Sequence, residues 1–128
     1  MKTKIFLWGM TAVSGSQPER FYHGFVLGLL VELRDRYYIS SNRESGFGRY
    51  DVMLEPKDKK SDRAVVLEFK IYNERKESNI DEAADAALKQ IYEKRYKEEL
   101  LQRGVSEDRI YCYGVAFKGK QVVIKMGK

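Results

Sequence analysis

The spacing of apolar residues changes period several times along the chain. From Glu19 to about Arg36 the spacing is helical. Phe21, Phe25, Leu29 and Leu33 recur every four residues, and Tyr22, Val26 and Leu30 widen the stripe. Tyr37 to Asn42 and Arg49 to Leu54 read as strands rich in aromatic and β-branched residues. Glu44-Ser45-Gly46-Phe47-Gly48 reads as the turn between them, so the two form a hairpin. After the polar loop Pro56–Arg63, Ala64 to Ile71 is an almost continuous apolar run, as expected of a central strand. Asn79, with Glu82 three residues on, opens an alanine-rich helix that runs to about Gln102 and stops at Gly104. Ile110 to Phe117 and Gln121 to Met126 are a last pair of strands around Lys118-Gly119-Lys120. Before these elements, Ile5 to Trp8 is a short strand or a buried extension, and Thr11 to Pro18 is a loop. The predicted order is α-β-β-β-α-β-β.

Composition narrows the class. The chain has 128 residues, 43% of them hydrophobic and 34% charged, which suits one domain with one core. Apolar runs such as Phe25 to Val31 are far short of the roughly 20 residues of a membrane-spanning helix. A net charge of +5 permits a polyanionic partner without requiring one. With one cysteine and one histidine, Cys112 and His23, neither an internal disulfide nor a finger-type zinc site can form. Cys112 reads as a small buried hydrophobe in a reducing, cytoplasmic setting. Residues 1–16, MKTKIFLWGMTAVSGS, have the ingredients of a short signal peptide, but the lack of disulfide cysteines weighs against cleavage.

The central strand carries an anomaly. Side chains alternate between the faces of a strand, so Val65, Leu67, Phe69 and Ile71 share one face. Val66, Glu68 and Lys70 share the other. Charges on a central strand cost several kcal/mol per unpaired ion, to order of magnitude. On the preceding strand Arg49, Asp51, Met53 and Glu55 alternate with Tyr50, Val52 and Leu54. If the two strands are neighbours, Asp51 stands beside Glu68, with Lys70 next to both. Two adjacent carboxylates repel unless a cation lies between them. A hard divalent ion with oxygen ligands suits that position.

Gly48-Arg49-Tyr50-Asp51-Val52, followed after a gap by Val66-Leu67-Glu68-Phe69-Lys70, resembles the PD-(D/E)XK nuclease superfamily. Asp51, Glu68 and Lys70 match its motif residue for residue, while Tyr50 stands where the proline of the name would be. A wider match points to the branch usually found behind an AAA-type ATPase domain. It comprises Phe21–Phe25, Ser41–Asp51, Ala87-Leu88-x-Gln90-Ile91-x-x-Lys94-x-Tyr96 and Gly114-x-Ala116-Phe117-x-Gly119-Lys120. No complete P-loop pattern occurs in these residues. The resemblance implies an α/β, restriction-endonuclease-like fold, a mixed β-sheet flanked by helices. It assigns residues 19–128 to the nuclease-like domain and residues 1–18 to an N-terminal extension. It also implies hydrolysis of nucleic-acid phosphodiesters, DNA foremost, with Mg²⁺ or Mn²⁺. Asp51 and Glu68 would hold the metal, with the Phe69 carbonyl as a further ligand, and Lys70 would orient or deprotonate the attacking water.

A further carboxylate often comes from the first helix of such proteins, and Glu19 is the candidate metal ligand there. Its competing role is a favourable charge at a helix N-terminus. His23 falls on the same stripe and suits a hydrogen-bonded structural role better than ligation. On the second helix Gln90 and Lys94 are one turn apart and share a face. Gln90 is expected at the catalytic site. Lys94 and Tyr96 are expected to contact nucleic acid, with a solvated helix face as the alternative, and Arg49, on Asp51's face, is expected to contact phosphate or to pair with a carboxylate. The loop lysines Lys57, Lys59 and Lys60 are diluted by Asp58 and Asp62 and read as solvated charge.

Three functions compete on these residues. A metal-dependent nuclease uses the whole Asp51, Glu68 and Lys70 set. A catalytically inactive nucleic-acid-binding or regulatory module on the same fold has no need for paired carboxylates beside a lysine. A purely structural ion network leaves that pair without a counter-ion. A separate ATPase acting in trans fits the family branch, and cutting both strands of a duplex would favour a homodimer.

Overall fold

Six strands form one mixed sheet in a computed structural model that describes residues 2–6, 28, 31–44 and 49–127. The strands are β1 (Lys2–Phe6), β2 (Tyr37–Glu44), β3 (Arg49–Pro56), β4 (Ala64–Ile71), β5 (Ile110–Lys118) and β6 (Gln121–Gly127). Their spatial order is β1-β6-β5-β4-β3-β2. Only the β4–β5 contact is parallel, and the other four are antiparallel. A parallel pair needs a crossover longer than a turn. Helices α1 (Ile80–Glu93) and α2 (Tyr96–Gln102) lie in that crossover. The architecture is the restriction-endonuclease-like α/β arrangement expected, with β4 inside the sheet between β3 and β5.

Two helical segments depart from the sequence-based expectations, and the N-terminus supplies a sixth strand. Of the short strand or buried extension expected from Ile5 to Trp8, the structure has the strand, earlier in the chain, with Lys2–Phe6 pairing to β6 at the sheet edge. The expected single helix from Asn79 to Gln102 is broken in two at Lys94 and Arg95. The first predicted helix, from Glu19, falls largely outside the described residues, and Val31–Asp35 near its end form a short 3₁₀ turn.

The local signals account for most of the boundaries. Asn79 is extended, and its side-chain oxygen accepts a hydrogen bond from the Glu82 N–H at 2.9 Å. Glu82 returns the favour by accepting from the Ser78 N–H at 2.7 Å, which satisfies two amides at the start of α1. After α2, Gly104 takes a φ of +93°, a left-handed value that glycine adopts without a Cβ clash.

Each face of the sheet has its own core. On one, Val52, Leu54, Phe69, Val115, Phe117 and Val122 pack together with Tyr37, the Phe69 and Phe117 rings stacking at 6.0 Å. On the other, α1 and α2 cover Met53, Ala64, Val66, Ile110, Cys112, Ala116 and Val123. Helix α1 presents Ala83, Ala84 and Ala87 to the sheet and so approaches it closely. A Cβ on Gly114 would lie 2.3 Å from the Ala84 carbonyl oxygen and 2.6 Å from the Leu88 nitrogen. The glycine therefore sets the distance between helix and strand.

Candidate active site

Strand register brings the two carboxylates together. β3 and β4 pair antiparallel with Asp51 directly opposite Glu68, and Arg49 opposite Lys70. Directly opposed residues place their side chains on the same face, with Cβ atoms roughly 4.5–5.5 Å apart. That face is the one beneath α1 and α2, since Met53 and Val66, on the same alternation, pack against Ile91 and Leu100. Asp51 and Lys70 are 5% exposed, Glu68 0% and Glu77 6%. Four ionisable groups thus lie in the protein interior, where each needs a partner.

The cation beside the carboxylates belongs to the chain itself. Lys94 Nζ is 3.4 Å from Asp51 Oδ2 and 3.6 Å from Glu68 Oε1. Tyr96 donates its hydroxyl to Asp51 Oδ2. These contacts explain why the helix breaks. Residues two apart on a continuous helix point in different directions, so Lys94 and Tyr96 could not both reach Asp51. Lys94 caps α1, Arg95 takes the left-handed conformation with φ +59° and ψ +33°, and Tyr96 begins α2. A left-handed residue with a side chain costs roughly 1–2 kcal/mol. Two converging contacts on one buried carboxylate offset that cost.

Lys70 turns to a different partner. Its Nζ lies 3.1 Å from Glu77 Oε2. Glu77 stands in the turn between β4 and α1, where its Oε1 accepts the Asn73 N–H at 3.2 Å. Sequence reasoning missed Glu77 because it sits among Asn73, Glu74, Arg75, Lys76 and Ser78, in a stretch polar enough to read as solvated loop. Its one distinguishing property, burial among exposed neighbours, has no counterpart in the pattern of residue types.

The other expected site residues fall as follows. Gln90 is half-buried on α1, one turn before Lys94, and its carbonyl accepts the Lys94 N–H at 3.0 Å. Lys94 and Tyr96, expected on nucleic acid, are directed at Asp51. Arg49 is placed by its backbone in β3. Its side chain, with Glu19 and His23, lies outside the described residues.

The donor set is suited to a divalent ion. Asp51 and Glu68 supply hard carboxylate oxygens to a common point, and an ammonium group already bridges them as a stand-in cation. Among the described residues no group of three or more Asp, Glu, His or Cys side chains gathers in a way that could hold a metal.

No curated protein and no solved structure matches the chain. A model of the PD-(D/E)XK nuclease superfamily matches residues 17–127, which include both carboxylates, Lys70 and every helix and strand from β2 onward. With the Asp and Glu-x-Lys residues on adjacent strands of the expected fold, and a family match over most of its length, the chain belongs to the PD-(D/E)XK nuclease superfamily.

Proposed function

We propose that the protein is a divalent-metal-dependent nuclease that hydrolyses phosphodiester bonds of DNA. The observation that carries this reading is the opposed, buried pair Asp51 and Glu68, gathered around a positive charge on the same strand face as Lys70. Asp51 and Glu68 would hold Mg²⁺ or Mn²⁺. The ion, when bound, supplies Lewis acidity at the phosphate oxygens and makes a water molecule more acidic. Lys70 orients the attacking water and offsets negative charge growing on the phosphate. Tyr96 fixes the orientation of the Asp51 carboxylate through its hydroxyl. Gln90, half-buried one turn before Lys94, would contact the water or the substrate from α1.

The test uses supercoiled plasmid and single-stranded DNA with Mg²⁺ or Mn²⁺, comparing the wild type with Asp51→Ala and Lys70→Ala. Removing transition-state electrostatics of this kind costs on the order of 10²–10³ in rate. Cleavage lost in both variants supports the reading, and equal cleavage by all three chains refutes it. A second reading, a nucleic-acid-binding module without hydrolysis, draws on one observation. Lys94 and Lys70 already give Asp51, Glu68 and Glu77 ion-pair partners from the chain. Salt-dependent DNA binding with no cleavage in either metal would favour it.

A further inference from the structure

Glu77 is a buried carboxylate that the reaction above leaves without a role. Residues 73–76 and 78–79 are exposed, yet Glu77 between them is turned inward. Several contacts hold it there. Its own N–H donates to the Asn73 carbonyl at 2.9 Å, and its Oε1 accepts the Asn73 N–H at 3.2 Å. Its carbonyl accepts the Tyr72 hydroxyl at 3.3 Å. The carboxylate is thus fixed at one oxygen by a tight turn, and the other, Oε2, lies 3.1 Å from Lys70 Nζ. Both side chains are almost wholly removed from water. A buried ion pair is a poor source of stability compared with apolar packing, so its retention calls for a reason other than folding.

We infer that Glu77 is a positioning residue for the nuclease reaction, holding the Lys70 ammonium on the carboxylate face of β4. The inference rests on the nuclease reading and assigns Glu77 no contact with substrate or metal. Lysine is a flexible point charge with three donors and no fixed fork. A fixed anionic partner 3.1 Å away restricts where that charge can sit. The short turn Asn73–Glu77 ties that partner to the end of β4 itself, so the lysine and its anchor move as one unit.

Glu77→Gln keeps the size and an acceptor for the Asn73 N–H while removing the charge. Glu77→Asp keeps the charge but withdraws it by one methylene, and carries the test if the Gln variant does not fold. Both are measured by single-turnover cleavage and by Mn²⁺ binding in electron paramagnetic resonance. Glu77→Gln should lower kcat about 10- to 100-fold, as loss of supporting contacts does at metal sites. KM and Mn²⁺ affinity should stay within about twofold, and Glu77→Asp should lose several-fold less. In a Lys70→Ala background, adding Glu77→Gln should change the residual rate less than about twofold, because a residue acting only through Lys70 has nothing left to act on. Equal losses in the two backgrounds, or a loss carried by KM or Mn²⁺ affinity, would mark a merely structural role and overturn the inference. An active wild type indifferent to Glu77→Gln overturns this inference alone. A wild type that cuts no DNA overturns the nuclease reading and this inference together.

Discussion

Lys94→Met separates the two cations that can serve Asp51 and Glu68. The substitution keeps the length and apolar stem of the side chain and deletes the ammonium, which is 3.4 Å from one carboxylate and 3.6 Å from the other. At an effective dielectric constant of about 20, each such contact is worth roughly 4–5 kcal/mol of attraction. Much of that is cancelled by the desolvation that the lysine suffers in the folded protein. Breaking one side of a buried pair costs about 3–5 kcal/mol after both effects. Asp51 and Glu68, opposite each other across β3 and β4, are then left to repel. In EDTA the variant should be less stable by about 3 kcal/mol, which for a domain of this size lowers Tm by roughly 10 °C.

A divalent ion should reverse the loss. In the wild type it must displace an ammonium group that is already paired, whereas in Lys94→Met it meets two carboxylates without that competitor. If displacement costs about 1.4–3 kcal/mol, the variant binds Mn²⁺ roughly 10- to 100-fold more tightly. Calorimetric titration with Mn²⁺ reads the affinity directly. Scanning fluorimetry across the same Mn²⁺ series should show a larger rise in Tm for the variant, because a ligand bound only by the folded state stabilises it by mass action. Equal Mn²⁺ affinity in the two chains would refute the exchange of lysine for metal. A variant as stable as the wild type in EDTA would refute the electrostatic account beneath it.

Other outcomes follow from single residues. Gly114→Ala should destabilise by about 3 kcal/mol or more, above the usual 1–3 for overpacking, since its methyl meets helix backbone at 2.3 Å; a urea midpoint near that of the wild type would mean α1 can lift off the sheet. Arg95→Gly should be neutral or stabilising by up to about 1 kcal/mol, because φ +59° is free of strain for glycine, and a clear loss in thermal melts would show that the arginine side chain has a role of its own. Cys112 is buried, and that burial raises its thiol pKa. The native thiol should therefore label far more slowly with a disulfide reagent than the urea-unfolded one. Above pH of about 8.5 the unfolded chain loses this proton while the folded chain keeps it, so stability falls as pH rises; Cys112→Ala should lose less stability between pH 8 and 10 than the wild type does.

The sheet and half of the site were legible in the sequence because both depend on alternation. Glu68 and Lys70 break an apolar strand at even spacing, and the same period on β3 selects Asp51 as the neighbour; the register bears this out. Asn79 and Gly104 marked the ends of the helical crossover through backbone chemistry that is local to them. The break at Lys94 and Arg95 left no such mark. Tyr92-Glu93-Lys94-Arg95-Tyr96-Lys97 contains neither glycine nor proline, and its composition favours one continuous helix. What interrupts it is a tertiary demand, two side chains spaced two residues apart reaching one carboxylate. Glu77 was hidden for the same reason, since a polar turn becomes a buried anchor only when a lysine on the neighbouring strand end needs one.

If the protein is the metal-dependent nuclease proposed, the charges at the site bear on how a lysine can stand where the divalent ion would bind. Among the described residues, three carboxylates, Asp51, Glu68 and Glu77, face two ammonium groups, Lys70 and Lys94. Lys70 and Glu77 form one balanced pair. Lys94 is shared between Asp51 and Glu68, one ammonium between two carboxylates, at distances longer than the 2.7–2.9 Å of a strong charged hydrogen bond. On the nuclease reading, a doubly charged ion at the same point would meet both carboxylates with a charge each, which a single ammonium does not. On that reading the resident lysine makes the buried carboxylates tolerable without metal, and a divalent ion would satisfy the two of them more fully.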